Sequence, residues 1–469
     1  MFCYNIIYMK KIVFFLIITI FGFVLFFRVF FNGFVDDDQT LIVNNPLVHS
    51  ITNIPRIFRG STYYDPVTHK LHGLYYKPLM LTFYTTIISI FGMKAFFLHL
   101  FQVILFILNA YLVYLLFRRF FSEMLAMLLS ILFLVHPINS EVAAYIADAQ
   151  DALYFFFGML ALNVMLYKKN NTGMLLSCMF LFLSLLSKET GILFFVLVLL
   201  IICFKQLFGE EYWKKKFILF ISVITGEIIF YGILRLTISL DPSSSNNILS
   251  ILSDLQIQYT LPSMLFFYIK TLIFPKDLVL AHLWVVNDMT FSSYFFPLML
   301  DGLSVLIILL LGYLCWRRKS NFVPYLFFTG WLTIGILFHL NLFFRLDLIV
   351  AERWFYFPFV GLLGLIGIAL GYVPIQKQKY AIPLFVFWIV IVLLLSIRTS
   401  IRLSNWKNEL TLYTHDLKVE DNPLLENVYG NYLLRTGKKQ EANYYLQKSA
   451  QKFNLWVQEA QATKRRTVK

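Results

Sequence analysis

Residues 34–46, FVDDDQTLIVNNP, place three consecutive carboxylates, Asp36, Asp37 and Asp38, directly after a long apolar run. A carboxylate just past a helix end, against a low-dielectric boundary, keeps a raised pKa and suits general-base work. The triplet alone also reads as a water-facing helix stop, and its adjacent oxygens are candidate ligands for Mg²⁺ or Mn²⁺, should the protein use a divalent cation. A second segment, HPINSEVAAYIADAQDAL, carries His136, Glu141, Asp148 and Asp151 between two apolar runs. Pro137 ends the preceding helix because it lacks an N–H donor, and a short helix from Glu141 would bring Glu141, Tyr145 and Asp148 near one face. The alternative is a polar cap on two spans. In LSKETGI, Lys188 and Glu189 set a cation beside an anion, and the bland alternative is that they pair with each other. In LDLIVAERWFYFPFVGL, Glu352 and Arg353 precede an aromatic cluster. The aromatics suit an interfacial belt, and an arginine held among them offers a planar fork of donors to a phosphate.

Positioning these residues falls to a chain that is 59% hydrophobic and 14% charged, with a mean hydropathy of +0.72, which excludes an ordinary soluble domain. Apolar runs long enough to cross a hydrocarbon core of roughly 30 Å predict about eleven spans, at 11–32, 96–117, 122–137, 151–167, 172–187, 190–206, 216–236, 296–316, 322–343, 355–373 and 380–398. Alternate connections carry Lys10-Lys11, Arg118-Arg119, Lys168-Lys169, the lysines of 205–216, Arg317-Arg318-Lys319, and Lys377 with Lys379. Short basic loops mark the cytoplasmic side, so the N-terminus is expected inside and the C-terminal tail outside. The apolar stretches 79–91 and 261–274 are too short for a confident crossing and are read as helices at the outer interface. All four polar segments described above then collect on the outer face.

The net charge of +14 is spread through these loops and forms no basic module, so nucleic acid is not an expected partner. Cys3, Cys178, Cys203 and Cys315 lack metal-ligand spacing and lie in or beside apolar runs, which argues against a zinc site or a disulfide framework. The first apolar run follows Lys10 and Lys11 and reads as an uncleaved signal anchor. Beyond residue 400 the composition turns polar. Gly430, Leu433, Gly437, Ala442, Leu446 and Ala450 fit one tetratricopeptide unit, and Trp406, Leu410, Tyr413 and Leu417 recur at helical spacing just before it. A single unit falls short of the repeats usually needed for stability, so it is expected to pack on the membrane domain or on a partner.

Taken in order, Phe34-Val35 with Asp37-Asp38 and Asn45-Pro46, Tyr76-Lys77-Pro78-Leu79, His136-Pro137 with Glu141, Tyr145-Ile146 with Asp151, Ser187-Lys188-Glu189, and Ala351-Glu352-Arg353 with Tyr356 and Pro358 form a series. With Trp406 leading into the repeat, the series resembles the bacterial and animal family of polytopic proteins with tetratricopeptide repeats, which is related to the protein O-mannosyltransferases and other C-type glycosyltransferases. The resemblance implies an all-α fold: a C-type glycosyltransferase-like membrane domain over 1–400, with outer loops 33–95 and 237–295, and an extracytoplasmic helical domain over 401–469. It implies transfer of a sugar from a polyprenyl-phosphate carrier to an acceptor hydroxyl, on protein Ser/Thr or an envelope glycan, at the outer side of a membrane such as the bacterial inner membrane. In the family pattern the catalytic pair corresponds to Asp37 and Asp38, with Asp37 as the general base, and Lys77 and Arg353 are the candidates for the donor phosphate. His136, Glu141, Asp151, Lys188, Glu189 and Glu352 complete the candidate site.

Two departures stand out. Many animal members carry an arginine where Ala149 stands, and relatives often have many repeats where this chain has about one. Two other classes remain open from sequence. A lipid or sugar transporter or flippase would use Glu227, an ionisable residue in mid-span, as its path residue. A membrane-anchored scaffold would use the repeat to recruit envelope proteins.

Overall fold

The computed structural model describes residues 2–168, 170–207, 211–236, 238, 249, 252–319, 321–372 and 378–467. Most of the expected outer loop between 237 and 251 lies outside them, as do Lys169 and Lys377. Each of the apolar runs forms a helix, because a backbone in hydrocarbon must satisfy its own N–H and C=O groups. Among the described residues six helices are long and apolar enough to cross a membrane: Ala95–Phe117, Ile146–Tyr167, Lys216–Leu236, Phe291–Arg318, Glu352–Leu370 and Ile382–Asn405. A seventh span results if Glu123–Val135 and Pro137–Ala144, bent by 56° at His136, are one element. The remaining expected spans are shorter apolar helices among the described residues: Lys11–Leu25, Asn171–Ser187, Glu189–Phe204 and Phe322–Phe338. The chain is an integral, multi-pass, all-α membrane protein. The two short stretches are also helices, Pro78–Phe91 and Asp254–Ile273, and neither meets the length and composition of a span.

Burial separates inner from outer helices. In Ala95–Phe117, Ile146–Tyr167 and Glu352–Leu370, 67% of the apolar window is buried, against 17% in Lys216–Leu236 and Phe291–Arg318 and 11% in Ile382–Asn405. The outer three present apolar side chains outward, as helices facing lipid do. Side-chain amides stitch the inner group together. Asn109 donates to the Ala152 carbonyl at 2.9 Å and Gln102 to the carbonyls of Val142 and Tyr145 at 2.8 and 2.6 Å. The Tyr84 hydroxyl, from Pro78–Phe91, donates to the Ile146 carbonyl at 2.7 Å. These bonds tie the short 140–148 segment to Ala95–Phe117 and to Pro78–Phe91.

The only paired strands among the described residues, Tyr63–Asp65 and Lys70–His72, form an antiparallel hairpin in the first loop. The tail folds as three helices, Glu409–Val419, Pro423–Arg435 and Lys439–Thr467, the last two an antiparallel pair. At their crossing, a Cβ on Gly430 would lie 2.8 Å from the Leu446 Cγ, so only glycine allows that approach. The preceding span continues to Asn405, past the boundary expected at 400.

The tail packs on the membrane domain, one of the two placements expected for it. Buried Asp416 accepts from the Leu280 N–H at 2.7 Å and from Arg402 Nη1 at 2.9 Å. Glu420 accepts from the Leu283 N–H at 3.0 Å and sits 2.6 Å from His282 Nδ1. Burial disfavours charge on His282, but hydrogen bonds to Glu352 and Glu420 outweigh it and push the ring up to about 9.

Phe322–Phe338 and Tyr356–Leu370 pack closely through Gly361, where an added Cβ would meet the Leu332 backbone nitrogen at 2.6 Å and the Phe328 carbonyl oxygen at 2.9 Å. Backbone cannot yield as a side chain can. Gly361→Ala should therefore destabilise the protein by about 1–3 kcal/mol, read as a lowered thermal midpoint in detergent. An unchanged midpoint would mean that the two helices do not approach this closely.

Candidate functional site

The three aspartates face three different environments. Asp38 is fully buried, and both its oxygens accept backbone N–H groups, Oδ2 from Val35 at 2.9 Å and Oδ1 from Ala147 at 2.7 Å. Burial pushes its pKa well above the usual carboxylate range, against the pull of those two hydrogen bonds. Asp36 takes a left-handed backbone conformation, φ 50°, which aspartate tolerates better than most residues. Its Oδ2 accepts from the Tyr145 hydroxyl at 3.0 Å and its Oδ1 from the Tyr413 hydroxyl at 2.9 Å.

Asp37 is the exposed member of the three, and its N–H donates to the Tyr145 oxygen at 3.1 Å. Water reaches the Asp37 side chain, yet burial by the surrounding groups is the largest cause of its pKa shift. Burial and the adjacent Asp36 charge push it up to about 7, against Arg353, Lys77 and a hydrogen bond from Tyr145. Among its neighbours is Tyr63 of the hairpin, whose phenol the Asp37 charge holds well above its ordinary pKa, with burial adding to the effect.

Lys77 stands immediately before Pro78–Phe91 and is 8% exposed. Its Nζ lies 4.1 Å from the centre of the Tyr75 ring, a cation–π contact. Among the described residues no carboxylate lies within ion-pair distance of it. Burial pulls its pKa down, partly offset by the nearby Glu189 charge. Tyr75 is held in turn by donating its hydroxyl to Asp347.

Arg353 is already engaged. Its Nη1 pairs with Glu141, its backbone N–H donates to Glu141 Oε2 at 3.3 Å, and its Nε lies 3.7 Å from Asp148 Oδ1. Lys188 Nζ lies 2.7 Å from both oxygens of Asp151, while Glu189 Oε1 accepts from the Tyr76 N–H at 3.1 Å and from Arg235 Nη1 at 3.4 Å. Lys188 and Glu189 thus turn to different partners and do not pair with each other. Glu352 Oε1 accepts from the Val279 N–H at 2.7 Å, and His136 uses both ring nitrogens, one facing the Ile138 N–H at 3.2 Å and the other the Leu272 carbonyl at 3.1 Å. Both side chains are buried and tie segments together.

The residues brought together are therefore Asp37, Lys77 and Arg353, framed by Asp36, Tyr63, Tyr75 and Tyr145. A cation on the triplet does not fit this arrangement: Asp38 is saturated by two amides and turned inward, and Asp36 is occupied by two tyrosines. Among the described residues no group of three or more His, Cys, Asp or Glu side chains could hold a metal ion. Sequence reasoning missed Tyr63, Tyr75 and Tyr413 as members of the site. For Tyr413 the helical spacing with Trp406 and Leu417 marked an inward face, but nothing marked the hydroxyl's partner. Tyr145 was placed beside Glu141 and Asp148, and its reach to the first loop could not be read from spacing.

Residues 76–237 match the family described as dolichyl-phosphate-mannose-protein mannosyltransferase. The matched stretch contains Lys77, Glu141, Asp151, Lys188 and Glu189 and leaves out the aspartate triplet and Arg353. Protein O-mannosyl-transferase TMTC2 of Mus musculus is 34% identical over 104 residues, which is 22% of this chain and 12% of that protein. Protein O-mannosyl-transferase TMTC3 of Mus musculus is 23% identical over 459 residues, covering 89% of this chain and 49% of that protein. The chain thus spans at most about half the length of these curated relatives. Among solved structures, ArnT from Cupriavidus metallidurans in the apo state is 15% identical with a TM-score of 0.46, covering 96% of this chain and 76% of that one. The series of motifs read from the sequence and the family matched over 76–237 point the same way, to similarity with the protein O-mannosyltransferases.

Proposed function

We propose that the protein is a membrane glycosyltransferase that moves a sugar from a polyprenyl-phosphate carrier to an acceptor hydroxyl, on protein Ser/Thr or an envelope glycan, at the outer face of the membrane. The observation that carries this reading is the nearness of Asp37 and Lys77: an accessible carboxylate with a pKa near neutrality that feels the charge of an ammonium with no described carboxylate at ion-pair distance. Kinship to the mannosyltransferases supports the reaction class. In the reaction, Asp37 takes the proton of the acceptor hydroxyl while its oxygen bonds to the anomeric carbon. The bond from that carbon to the phosphate oxygen breaks, and the polyprenyl phosphate leaves with the bonding pair. Lys77 meets the charge that develops on the phosphate, in a site where partial exclusion of water strengthens the contact.

Arg353 takes a supporting part, because Glu141 and Asp148 already balance its charge. A neutralised guanidinium gives a leaving phosphate less than a free ammonium does. Asp38, with no oxygen to spare, serves the geometry of the loop. Glu227 gives the transporter alternative little support, since its helix is among the least buried.

Asp37→Asn, inserted and abundant, should lose about 10²–10⁴-fold in transfer rate, measured with polyprenyl-phosphate mannose and serine- and threonine-bearing peptides in membranes. Glycoproteomics with and without the protein should show loss of a hexose from defined Ser or Thr sites; full retention of transfer by Asp37→Asn would falsify the base assignment. The base must be ionised, so kcat/KM should rise with pH through about 7, where Asp37 deprotonates. It should fall again on the alkaline side earlier than an ordinary lysine would dictate, as Lys77 loses its proton.

Asp38→Ala should behave differently from Asp37→Asn. It strands the amides of Val35 and Ala147, at about 1–3 kcal/mol for each buried unsatisfied group. Its signature should be a lowered thermal midpoint, and a variant as stable as wild type would show that the clamp is dispensable.

A further inference from the structure

We propose that Tyr413, from the first helix of the C-terminal tail, is a positioning residue for the Asp36-Asp37 turn, which makes the tail a working part of the reaction site and not only a docking module. This rests on the function proposed above and adds a residue 377 positions away from Asp36 in sequence.

Asp36 is a non-glycine residue held at φ 50° and followed directly by the exposed Asp37, so the direction of the Asp37 side chain depends on what keeps Asp36 in place. Two phenols do so from opposite sides. Tyr145 donates to Oδ2 at 3.0 Å and also accepts from the Asp37 N–H at 3.1 Å, while Tyr413 donates to Oδ1 at 2.9 Å. Tyr413 is 1% exposed and its ring packs near Tyr429 and Tyr432 of the next tail helix, which fixes the hydroxyl. The same face of the tail helix brings Glu409 toward the Asp36 backbone, with Glu409 itself paired to Arg435. A second tie runs close by, where the Gly33 N–H donates to the Lys407 carbonyl at 3.0 Å. Next to these, Tyr145 stacks beside Trp406 with ring centres 5.2 Å apart.

The coupling to Asp37 is electrostatic as well as geometric. The groups facing Asp37 are Asp36 and Asp38 on its own loop, Tyr63 on the hairpin, Lys77 before Pro78–Phe91, Tyr145, and Arg353; Tyr413 and Glu409 face Asp36 from the tail. Asp36 is a like charge beside Asp37. Removing the Tyr413 donor leaves more unscreened charge on Asp36, and neutralising Asp36 takes that charge away.

The experiment uses the full-length protein reconstituted in nanodiscs. Infrared titration of the protonated carboxyl stretch, assigned to Asp37 by its loss in Asp37→Asn, reads the Asp37 midpoint without any substrate. Tyr413→Phe should move that midpoint to higher pH and Asp36→Asn to lower pH, opposite shifts that partial unfolding cannot produce together. In transfer assays with polyprenyl-phosphate mannose, Tyr413→Phe should lower kcat about tenfold and leave the donor KM within about twofold of wild type, as expected for lost orientation. Unshifted midpoints in both variants, or a fall in kcat with no shift, would overturn the positioning role. The two readings fail separately: active Asp37→Asn removes the base, whereas an unshifted Tyr413→Phe removes only the latch.

Discussion

The carboxylate of Asp38 is the constraint on which the site depends. One oxygen closes a turn within its own loop through Val35 and the other reaches Ala147, 109 residues away, so a single buried side chain joins the first and second polar segments. A carboxylate deprived of water must recover its hydration from donors, and two amides aimed at it do so. Once the loops are joined at this point, Tyr145 is two residues from Ala147 and its hydroxyl falls between Asp36 and Asp37. The neighbouring acid can then project outward because its sibling is turned inward.

Charge compensation builds the wall behind that turn. Arg353 with Glu141 and Asp148, and Lys188 with Asp151, form groups in which each cation has a carboxylate partner in the interior. Breaking a buried pair leaves the other charge unpaired, which is costly, so these residues lock the segments against one another. Against these paired cations the Lys77 ammonium is conspicuous. It rests on the Tyr75 ring, whose hydroxyl is tied to Asp347, and no described acid lies at contact distance from it.

Much of the fold was legible in the sequence, and the reason is solvent. Hydrocarbon demands long apolar helices, and such runs are visible in composition alone; each expected span contains a helix. Spacing placed Gly430 and Leu446 at a helix crossing, whereas for the tail as a whole the sequence left packing on the membrane domain or on a partner both open. Within the site, the segments were legible but the pairing was not. Lys188 and Glu189 are adjacent in sequence, and their mutual pairing was the bland alternative to a place in the site; the turn between them sends one side chain to Asp151 and the other toward Arg235. Asp37 and Asp38, the catalytic pair that the resemblance implied, are adjacent positions in a tight turn and differ in burial, Asp38 turned to the core and Asp37 exposed. Local chemistry is written along the chain, whereas partner choice depends on contacts between segments a hundred or more residues apart.

The tail follows the same logic as Asp38, with carboxylates again serving as bridges. Asp416 takes the Leu280 amide and Arg402, Glu420 takes the Leu283 amide and His282, and Tyr413 reaches back to Asp36. His282 links this bridge to Glu352, the residue before Arg353, since its other ring nitrogen lies 3.8 Å from Glu352 Oε1. Docking the tail therefore touches the site at two points: the aspartate turn through Tyr413, and the approach to Arg353 through Glu352. A helical hairpin that only recruited partners would have no need of either contact. Its polar residues hold the loops that carry Asp37 and Arg353, so a change in the tail would reach the aspartate turn through one connected set of hydrogen bonds.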